Sequence, residues 1–368
     1  MKEKELKAIQ RLQEPGQGIW LDHITRDLLT SGKFERYIAE LPVTGLTTSP
    51  DIFDRAITNS SVYDGAIRKK LKADRLGEDL YYDLVLEDIR RAADLLRPLY
   101  EQTGGVDGWV SLEMSPLLDY NTEYTLALAK DLYARLQRPN LLVKIPGTTA
   151  GLPAVEEAIF AGVPVNVTRL FSHEHYLAAA GAFLRGVERR IAAGLEPNVG
   201  SVASMSVSRW DAAVRDRVPD SLRNTLGVAV ARCAYKACRD LLNSSRWQRA
   251  HSAGARPQRL LWVDTQTVDP ATPDDFYIRA LAAPFAVITL SERTLKAFMD
   301  CGDSGELMPV DGGDCEALLA RFAASGIDVD TLSAELQDEG ASSAIKSWIE
   351  LMSAIAAKSA ALAQGQSR

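Results

Sequence analysis

The chain has 368 residues, of which 46% are hydrophobic and 25% charged, a composition typical of a globular protein that can bury a core. Its formal net charge of −7 argues against nucleic acid as the main partner. The charged start, MKEKELKAIQRLQ, does not resemble a signal peptide, and no apolar run reaches the roughly 18–20 residues that span a bilayer. We therefore expect a cytoplasmic protein with no membrane partner.

Eight short strand-like runs follow one another, with helical patterns between most of them. They are Gly18–Ile24, Pro42–Ser49, Gly108–Met114, Asn140–Gly147, Val163–Phe171, Val199–Val207, Arg259–Thr267 and Phe285–Ser291. Alternating strands and helices predict a parallel sheet covered by helices, and eight such units favour a closed (β/α)8 TIM barrel of the α/β class. An open doubly wound sheet is the alternative, but neither G-x-G-x-x-G after a strand nor G-x-x-x-x-G-K-[ST] occurs.

Extra helices are predicted at three places around this barrel. One precedes the first strand, two or three occupy the crossover from about Phe53 to Gly105, and a helical C-terminal extension begins at about residue 292. The polar, glycine-containing stretch Asn243–Gln258 is predicted to be a mobile loop. No internal repeat or long linker is present, so we expect a single domain over residues 1–368.

The cysteine and histidine patterns do not predict a metal site. Ser172–Tyr176 reads SHEHY, but residues two apart do not share a helix face, and Ser172 suits a helix cap. No C-x-x-C spacing occurs, and in a reducing compartment the cysteines are expected to be buried thiols. They are Cys233, Cys238, Cys301 and Cys315.

Polar residues interrupt the predicted strands or follow them, at the end of a barrel where active sites lie. They are Asp22, Thr47, Thr48, Ser49, Glu113, Lys144, Asn166, Thr168, Ser204, Ser206, Arg209, Asp264 and Thr265. Four of these positions stand in otherwise hydrophobic runs on different strands, and we expect them to converge on one site: Asp22, Glu113, Lys144 and Asn166 with Thr168.

Lys144 lies within the apolar segment PNLLVKIPG. Burying an unpaired ammonium is costly, and the usual response is loss of the proton. A neutral amine can attack a ketone to form a Schiff base, which then allows a neighbouring C–C bond to break. Two carboxylates can move the proton of the substrate hydroxyl and activate the water of imine formation. Lys144 is therefore predicted to be a nucleophile.

These residues also have structural interpretations. Lys144 can extend to solvent and pair with Glu113, and Asp22 can cap a helix or pair with Arg26. Asn166 and Thr168 can be inward-facing residues that fill the barrel and are held by hydrogen bonds. Arg209 can be an ordinary surface arginine at a helix start.

Taken together, the motifs resemble the transaldolase family. They are LTTSP at 46–50, VSLEM at 110–114, KIPGTTAG at 144–151, NVT at 166–168 and SVASMSVSR at 201–209. The resemblance covers nearly the whole chain and is greatest to the long bacterial form, which has extra helices and a C-terminal extension.

The resemblance implies a class I aldol mechanism without a metal or organic cofactor. Lys144 would be the Schiff-base nucleophile and Asp22 the acid/base for the substrate hydroxyl. Glu113 and Thr168 would hold the catalytic water. The predicted substrate contacts are Asn166 and Ser204 for the three-carbon dihydroxyacetone unit, Arg209 for phosphate, and Thr48, Ser49 and Ser206.

The implied reaction is the transfer of dihydroxyacetone from a ketose phosphate to an aldose phosphate, as in the pentose phosphate pathway. Sedoheptulose 7-phosphate and fructose 6-phosphate are the implied donors. The alternative hypothesis is an aldolase or transferase for a different or non-phosphorylated sugar. A sugar-phosphate sensor without turnover is a third hypothesis. We expect a monomer or a homodimer.

The substrate-recognition positions depart from the family pattern. Ser49 replaces the usual asparagine and Ser206 the usual aromatic residue, while Val268 stands where a lysine or arginine is usual and follows Asp264. We hypothesise that Arg169 partly replaces the missing phosphate cation. The alternative is an outward-facing arginine paired with a helix acid.

Overall fold

The computed structural model describes residues 16–41, 43–301 and 305–364, so the helix predicted before the first strand lies outside the described residues. Eight parallel strands close into a barrel in chain order, which confirms the predicted (β/α)8 TIM barrel. The strands are β1 (Gly18–Leu21), β2 (Val43–Thr47), β3 (Trp109–Leu112), β4 (Leu141–Pro146), β5 (Val165–Leu170), β6 (Ser201–Ser206), β7 (Arg259–Val263) and β8 (Val287–Leu290).

Helices surround the barrel and connect its strands. The crossover between β2 and β3 holds three of them, as predicted. In chain order the helices are α1 (Arg26–Thr30), α2 (Lys33–Glu40), α3 (Pro50–Asn59), α4 (Asp64–Leu71), α5 (Gly77–Gln102), α6 (Thr122–Leu136), α7 (Gly151–Phe160), α8 (His173–Ala192), α9 (Ser208–Val214), α10 (Leu226–Asn243), α11 (Ser245–Ser252), α12 (Phe276–Ala280), α13 (Glu292–Cys301), α14 (Cys315–Ala324) and α15 (Val329–Gln364).

An apolar layer fills the barrel near the N-terminal ends of its strands. Trp20 lies at its centre with 0% exposure. Gly45 makes room for the indole, because a Cβ at that position would lie 2.4 Å from Trp20 Nε1. The other members of this layer are Trp109, Leu142, Val202, Leu261 and Val287. The polar residues of the strands therefore lie above a closed floor.

The stretch predicted to be a mobile loop is mostly helical, so that prediction was wrong. Ser244 accepts a hydrogen bond from the backbone N–H of Trp247 and caps α11. Trp247 and Ala250 are buried three residues apart on one helix face, and Arg246 pairs with Glu188 at 2.7 Å. Because the segment is mostly polar, its sequence does not indicate this short buried helix face.

The C-terminal helix α15 packs on the barrel and on the β2–β3 crossover. Trp348 is fully buried, and its ring centroid lies 4.8 Å from that of Tyr81 in an edge-on arrangement. Its Nε1 donates to Glu78 at 3.0 Å. Nearer the helix start, Gln337 Nε2 donates to the carbonyl of Arg169 at 2.8 Å. The helix is thus attached to the rim of the barrel along its length.

Three cysteines are buried free thiols, as predicted: Cys233, Cys238 and Cys315. The side chain of Cys301 is outside the described part. Ser172 caps α8 by accepting from the His175 backbone N–H at 3.2 Å, which confirms its predicted role. Among the described helices, none is both long and apolar enough to cross a bilayer.

Candidate active site

Lys144 lies inside the C-terminal mouth of the barrel. The alternation of β4 turns Leu142 into the apolar floor and Lys144 into the space above it. The Lys144 side chain is 12% exposed, and its Nζ donates to Glu113 Oε2 at 2.7 Å and to the Thr48 carbonyl at 2.6 Å. The pairing with Glu113 that was the structural alternative is present, but it is enclosed by the mouth. Glu113 is therefore placed to accept the ammonium proton before attack.

Glu113 is positioned by the neighbouring strand β2. Its backbone N–H donates to Thr48 Oγ1 at 2.7 Å, while the Thr48 N–H donates to the Ser111 carbonyl at 3.0 Å. Thr48 thus joins the ends of β2 and β3 and also contacts Lys144. Thr48 therefore lies next to Lys144 and Glu113. Its backbone carbonyl accepts from Lys144, and its hydroxyl accepts from the Glu113 N–H.

A hydrogen-bonded layer of three buried side chains lies beside Lys144. Asn166 Nδ2 donates to Ser111 Oγ at 3.0 Å, and Ser204 Oγ donates to Asn166 Oδ1 at 2.6 Å. Asn166 is the register partner of Lys144 in the β4–β5 pair. The amide is therefore held rigidly next to the lysine. Ser111 was missed by the sequence analysis, although it precedes Glu113 by two residues and so shares its strand face.

Thr168 lies one step further along β5. It is the register partner of Pro146, and its carbonyl accepts from the Gly147 N–H at 2.8 Å. Its side chain is half-buried, on the same strand face as Asn166. The strand is irregular after this point, because the β5–β6 register shifts between Val167 and Leu170.

Asp22 directly follows β1 and is held to β8 by its N–H, which donates to the Leu290 carbonyl at 3.0 Å. Its side chain is 28% exposed and lies 3.1 Å from His23 Nδ1. The structural alternatives are not observed, because Thr25 caps α1 and Arg26 pairs with Asp88 at 2.8 Å. Asp22 therefore lies at the C-terminal end of β1 with a histidine as the partner of its carboxylate.

Arg209 shares an acid with Ser206 at the ends of β6 and β7. Ser206 Oγ donates to Asp264 Oδ2 at 2.5 Å, and Arg209 Nε lies 3.3 Å from the same oxygen. The Arg209 and Asp264 side chains are each 39% exposed. Asp264 adopts a left-handed backbone with φ of 53° and accepts at its carbonyl from the Ser208 N–H. The guanidinium predicted to hold phosphate is thus already partly neutralised.

Two predicted substrate contacts are engaged by protein acids. Arg169 Nη2 lies 2.6 Å from Asp119 Oδ2, with side-chain exposures of 11% and 8%. Burial raises the pKa of Asp119 to about 6, although the nearby guanidinium opposes that rise. Ser49 donates to the carboxylate of Asp51 at the start of α3. Arg169 is thus paired with an acid, as in the alternative, but the pair is largely buried rather than outward-facing and the acid follows a 3₁₀ turn.

Further residues at the mouth were not predicted. Glu292 begins α13 directly after β8 and lies 3.4 Å from His23 Nε2. The rule used for the other strands, a polar residue just beyond the strand end, would have found it. Asp119 carried no such signal. Across the described residues, no group of three His, Cys, Asp or Glu side chains is arranged to hold a metal ion.

A lysine enclosed at the mouth of a (β/α)8 barrel, in contact with a carboxylate, defines the class of lysine-dependent aldol enzymes. A family model described as transaldolase/fructose-6-phosphate aldolase matches residues 19–355. The chain belongs to this family.

Curated relatives extend over almost the whole chain. A transaldolase of Thermobifida fusca is 40% identical, with 96% of this chain and 98% of the relative covered. A transaldolase of Frankia alni is 38% identical, with 95% and 96% covered. Transaldolase 2 of Nostoc punctiforme is 35% identical, with 94% and 95% covered. The chain thus spans nearly the full length of these relatives.

Proposed function

We propose that the protein is a transaldolase that moves a dihydroxyacetone unit from a ketose phosphate to an aldose phosphate through a Schiff base on Lys144. Sedoheptulose 7-phosphate and fructose 6-phosphate are the proposed donors. The observation that carries the proposal is the enclosed contact of 2.7 Å between Lys144 Nζ and Glu113 Oε2. A lysine in such contact has both a route for its proton and a neighbouring acid for the later steps.

In the first half-reaction, Lys144 attacks the ketose carbonyl carbon and forms a carbinolamine. Glu113, after receiving the lysine proton, returns a proton to the departing hydroxyl, and water leaves as the imine forms. Thr168, half-buried next to the lysine strand, completes the proposed site for this water. The same pair would activate water when the imine is hydrolysed at the end of the cycle.

Carbon–carbon cleavage requires a base for the hydroxyl proton on the carbon beyond the breaking bond. Asp22 is the proposed base. As it takes that proton, the bond electrons move into the protonated imine and form an enamine, and the shortened aldose departs. The acceptor aldose then reverses these steps, with Asp22 returning the proton to the new alkoxide.

The buried amide–hydroxyl layer is the proposed holder of the three-carbon unit. Asn166 and Ser204 lie beside Lys144, and their mutual hydrogen bond of 2.6 Å fixes their orientation. Arg209 is the proposed phosphate contact. The remaining proposed substrate contacts are Thr48, Ser49, Ser206 and Arg169. A cytoplasmic location and a monomeric or dimeric state are part of the same proposal.

The test is trapping of the imine. The protein is incubated with fructose 6-phosphate and reduced with borohydride, and its intact mass is measured. We expect an adduct that disappears in Lys144→Ala and persists in Lys130→Ala, which removes an exposed lysine of α6. In a separate reaction without borohydride, the protein supplied with fructose 6-phosphate and erythrose 4-phosphate should produce sedoheptulose 7-phosphate. A protein that gives no lysine-dependent adduct with either donor would refute the proposal.

A second candidate is favoured by the contact between Arg209 and Asp264. Since the acid lies 3.3 Å from the guanidinium, it competes with a substrate phosphate for the same cation. The candidate function is a transaldolase-like aldolase or transferase for a different or non-phosphorylated sugar. An adduct that forms with ketoses but is followed by no transfer to erythrose 4-phosphate would favour this candidate.

A further inference from the structure

A chain of alternating charges runs from Asp22 to the outside of the barrel. His23 Nδ1 lies 3.1 Å from Asp22 Oδ1, and His23 Nε2 lies 3.4 Å from Glu292 Oε1. Lys33 Nζ donates to both oxygens of the Glu292 carboxylate, at 2.5 Å from Oε2 and 2.7 Å from Oε1. The four side chains come from the end of β1 and the first residues of α2 and α13. They therefore cross the seam at which β1 and β8 close the barrel.

The imidazole is enclosed between the two acids. The side chain of His23 is 16% exposed, and the side chains of Asp22 and Glu292 are 28% and 21% exposed. These two carboxylates are the charged groups described as facing the ring, and Lys33 reaches it only through Glu292. Both ring nitrogens thus have an acceptor, which is the arrangement of a doubly protonated imidazolium.

The charge state agrees with this geometry. Burial alone would lower the pKa of His23, but the hydrogen bonds and charges of Asp22 and Glu292 outweigh it and raise the pKa to about 9. The pKa of Glu292 falls to about 2, with the hydrogen bond from His23 as the main cause, against the effect of burial. At neutral pH the ring is therefore a cation that binds one oxygen of Asp22.

We propose that His23, fixed by Glu292 and Lys33, is a positioning residue that holds the Asp22 carboxylate in place for proton transfer during carbon–carbon cleavage. The inference rests on the proposed function, in which Asp22 is the base. Binding Oδ1 through an N–H leaves Oδ2 for the substrate hydroxyl and prevents rotation of the carboxylate. A small misplacement of a catalytic group can slow a reaction by about a hundredfold.

The first experiment measures single-turnover cleavage of fructose 6-phosphate after Schiff-base formation. In His23→Leu we expect cleavage to slow by roughly ten- to a hundredfold, while the borohydride adduct on Lys144 still forms. His23→Asn should recover most of the rate, because its Nδ2–H restores a donor to Asp22. Wild-type cleavage in His23→Leu would overturn the inference alone. Absence of any Lys144 adduct in the wild type would overturn the proposed function as well.

The second experiment uses pH and remains decisive if His23→Leu does not fold. The wild-type cleavage rate should fall as pH rises through about 9, because the neutral ring keeps a single N–H for which Asp22 and Glu292 compete. Glu292→Gln removes one acid, so this limb and the histidine titration seen by NMR should both move down by roughly one unit or more. Glu316→Gln, the same change in the exposed pair with Lys236, is the control and should move neither. A limb that stays in place while the titration moves would overturn the inference.

Discussion

At the residue scale, Asp264 controls how much of the Arg209 charge is available to a substrate. The acid also binds Ser206, so one carboxylate oxygen contacts both the last residue of β6 and Arg209 at the start of α9. A charge-assisted hydrogen bond contributes about 1.5–3 kcal/mol, and a phosphate that approaches Arg209 must displace one. With Arg209 as the proposed phosphate contact, we expect Asp264 to influence the discrimination between phosphorylated and neutral sugars.

Replacing Asp264 with asparagine should raise the preference for phosphorylated donors. Asp264→Asn retains the size of the side chain but removes its negative charge. We expect kcat/KM for fructose 6-phosphate relative to fructose to increase by roughly tenfold to a hundredfold. The measurement is the pair of specificity constants for the two donors.

The matched control for this change is Asp220→Asn. Asp220 is also an acid paired with an arginine, Arg223 at 3.1 Å, but its side chain is 88% exposed on a 3₁₀ turn. It should leave the donor ratio unchanged. A ratio that rises equally in both variants would mean that overall charge, not the contact with Arg209, sets the preference.

The sequence predicted that Lys144 and Glu113 would lie together, but not what would hold them. Lys144 and Glu113 were expected at one site because both interrupt apolar strands near their C-terminal ends. The pairing of Arg209 with Asp264 and of Arg169 with Asp119 could not be predicted, because both acids lie on connecting segments that have neither a helical nor a strand period. His23 was passed over because its partner Glu292 is remote in the chain. Contacts of this kind depend on the closed barrel and not on local pattern.

At the element scale, helix α15 depends on Trp348. The indole is fully buried, packs edge-to-face against Tyr81 and donates a hydrogen bond to Glu78. Trp348→Ala should lower the free energy of unfolding by about 3–5 kcal/mol, because it leaves a large cavity and removes one of the two hydrogen bonds that Glu78 Oε1 accepts. Urea denaturation followed by circular dichroism is the measurement.

Ile349 offers the comparison for this loss of stability. It is the next residue of α15, and 54% of it is exposed. Ile349→Ala should change the free energy of unfolding by less than about 0.5 kcal/mol. Equal losses in the two variants would show that α15 contributes through helix propensity and not through the packing of Trp348.

The elements with strong periodicity were predicted well. Helices α5 and α15, of 26 and 36 residues, bury apolar residues along their length, and both are present in regions predicted to be helical. The sequence of α11 predicts a loop, because the helix has only eight residues and its buried face consists of Trp247 and Ala250. Two apolar residues are too few to define a helical period, and the decisive contact with Glu188 comes from another helix.

At the scale of the whole molecule, the seam between β1 and β8 makes stability depend on pH. The pKa of His23 rises from 6.5 to about 9 on folding, so its contribution is fully present below pH 6.5 and lost as pH rises through 9. The wild type should lose about 3 kcal/mol more than His23→Asn between pH 6 and pH 10. Denaturant titrations of both proteins at the two pH values test this difference, and equal losses would contradict it.

The barrel itself followed from the sequence because eight strand–helix units admit few arrangements of a parallel sheet. The sequence also predicted that the polar residues of the strands would collect near the C-terminal end of the barrel. The packing inside the barrel did not follow in the same way. Trp20 fills the floor only because Gly45 faces it from the neighbouring strand, a pairing that appears once the register is known.

That floor has a kinetic consequence. Trp20 and its apolar neighbours block one end of the barrel, so sugars enter and leave through the other end. The first aldose must leave by the route through which the second arrives, so we expect it to depart before the second binds to the lysine-bound three-carbon fragment. Turnover should accordingly obey a substituted-enzyme scheme, with parallel double-reciprocal plots and with each aldose slowing the entry of the other.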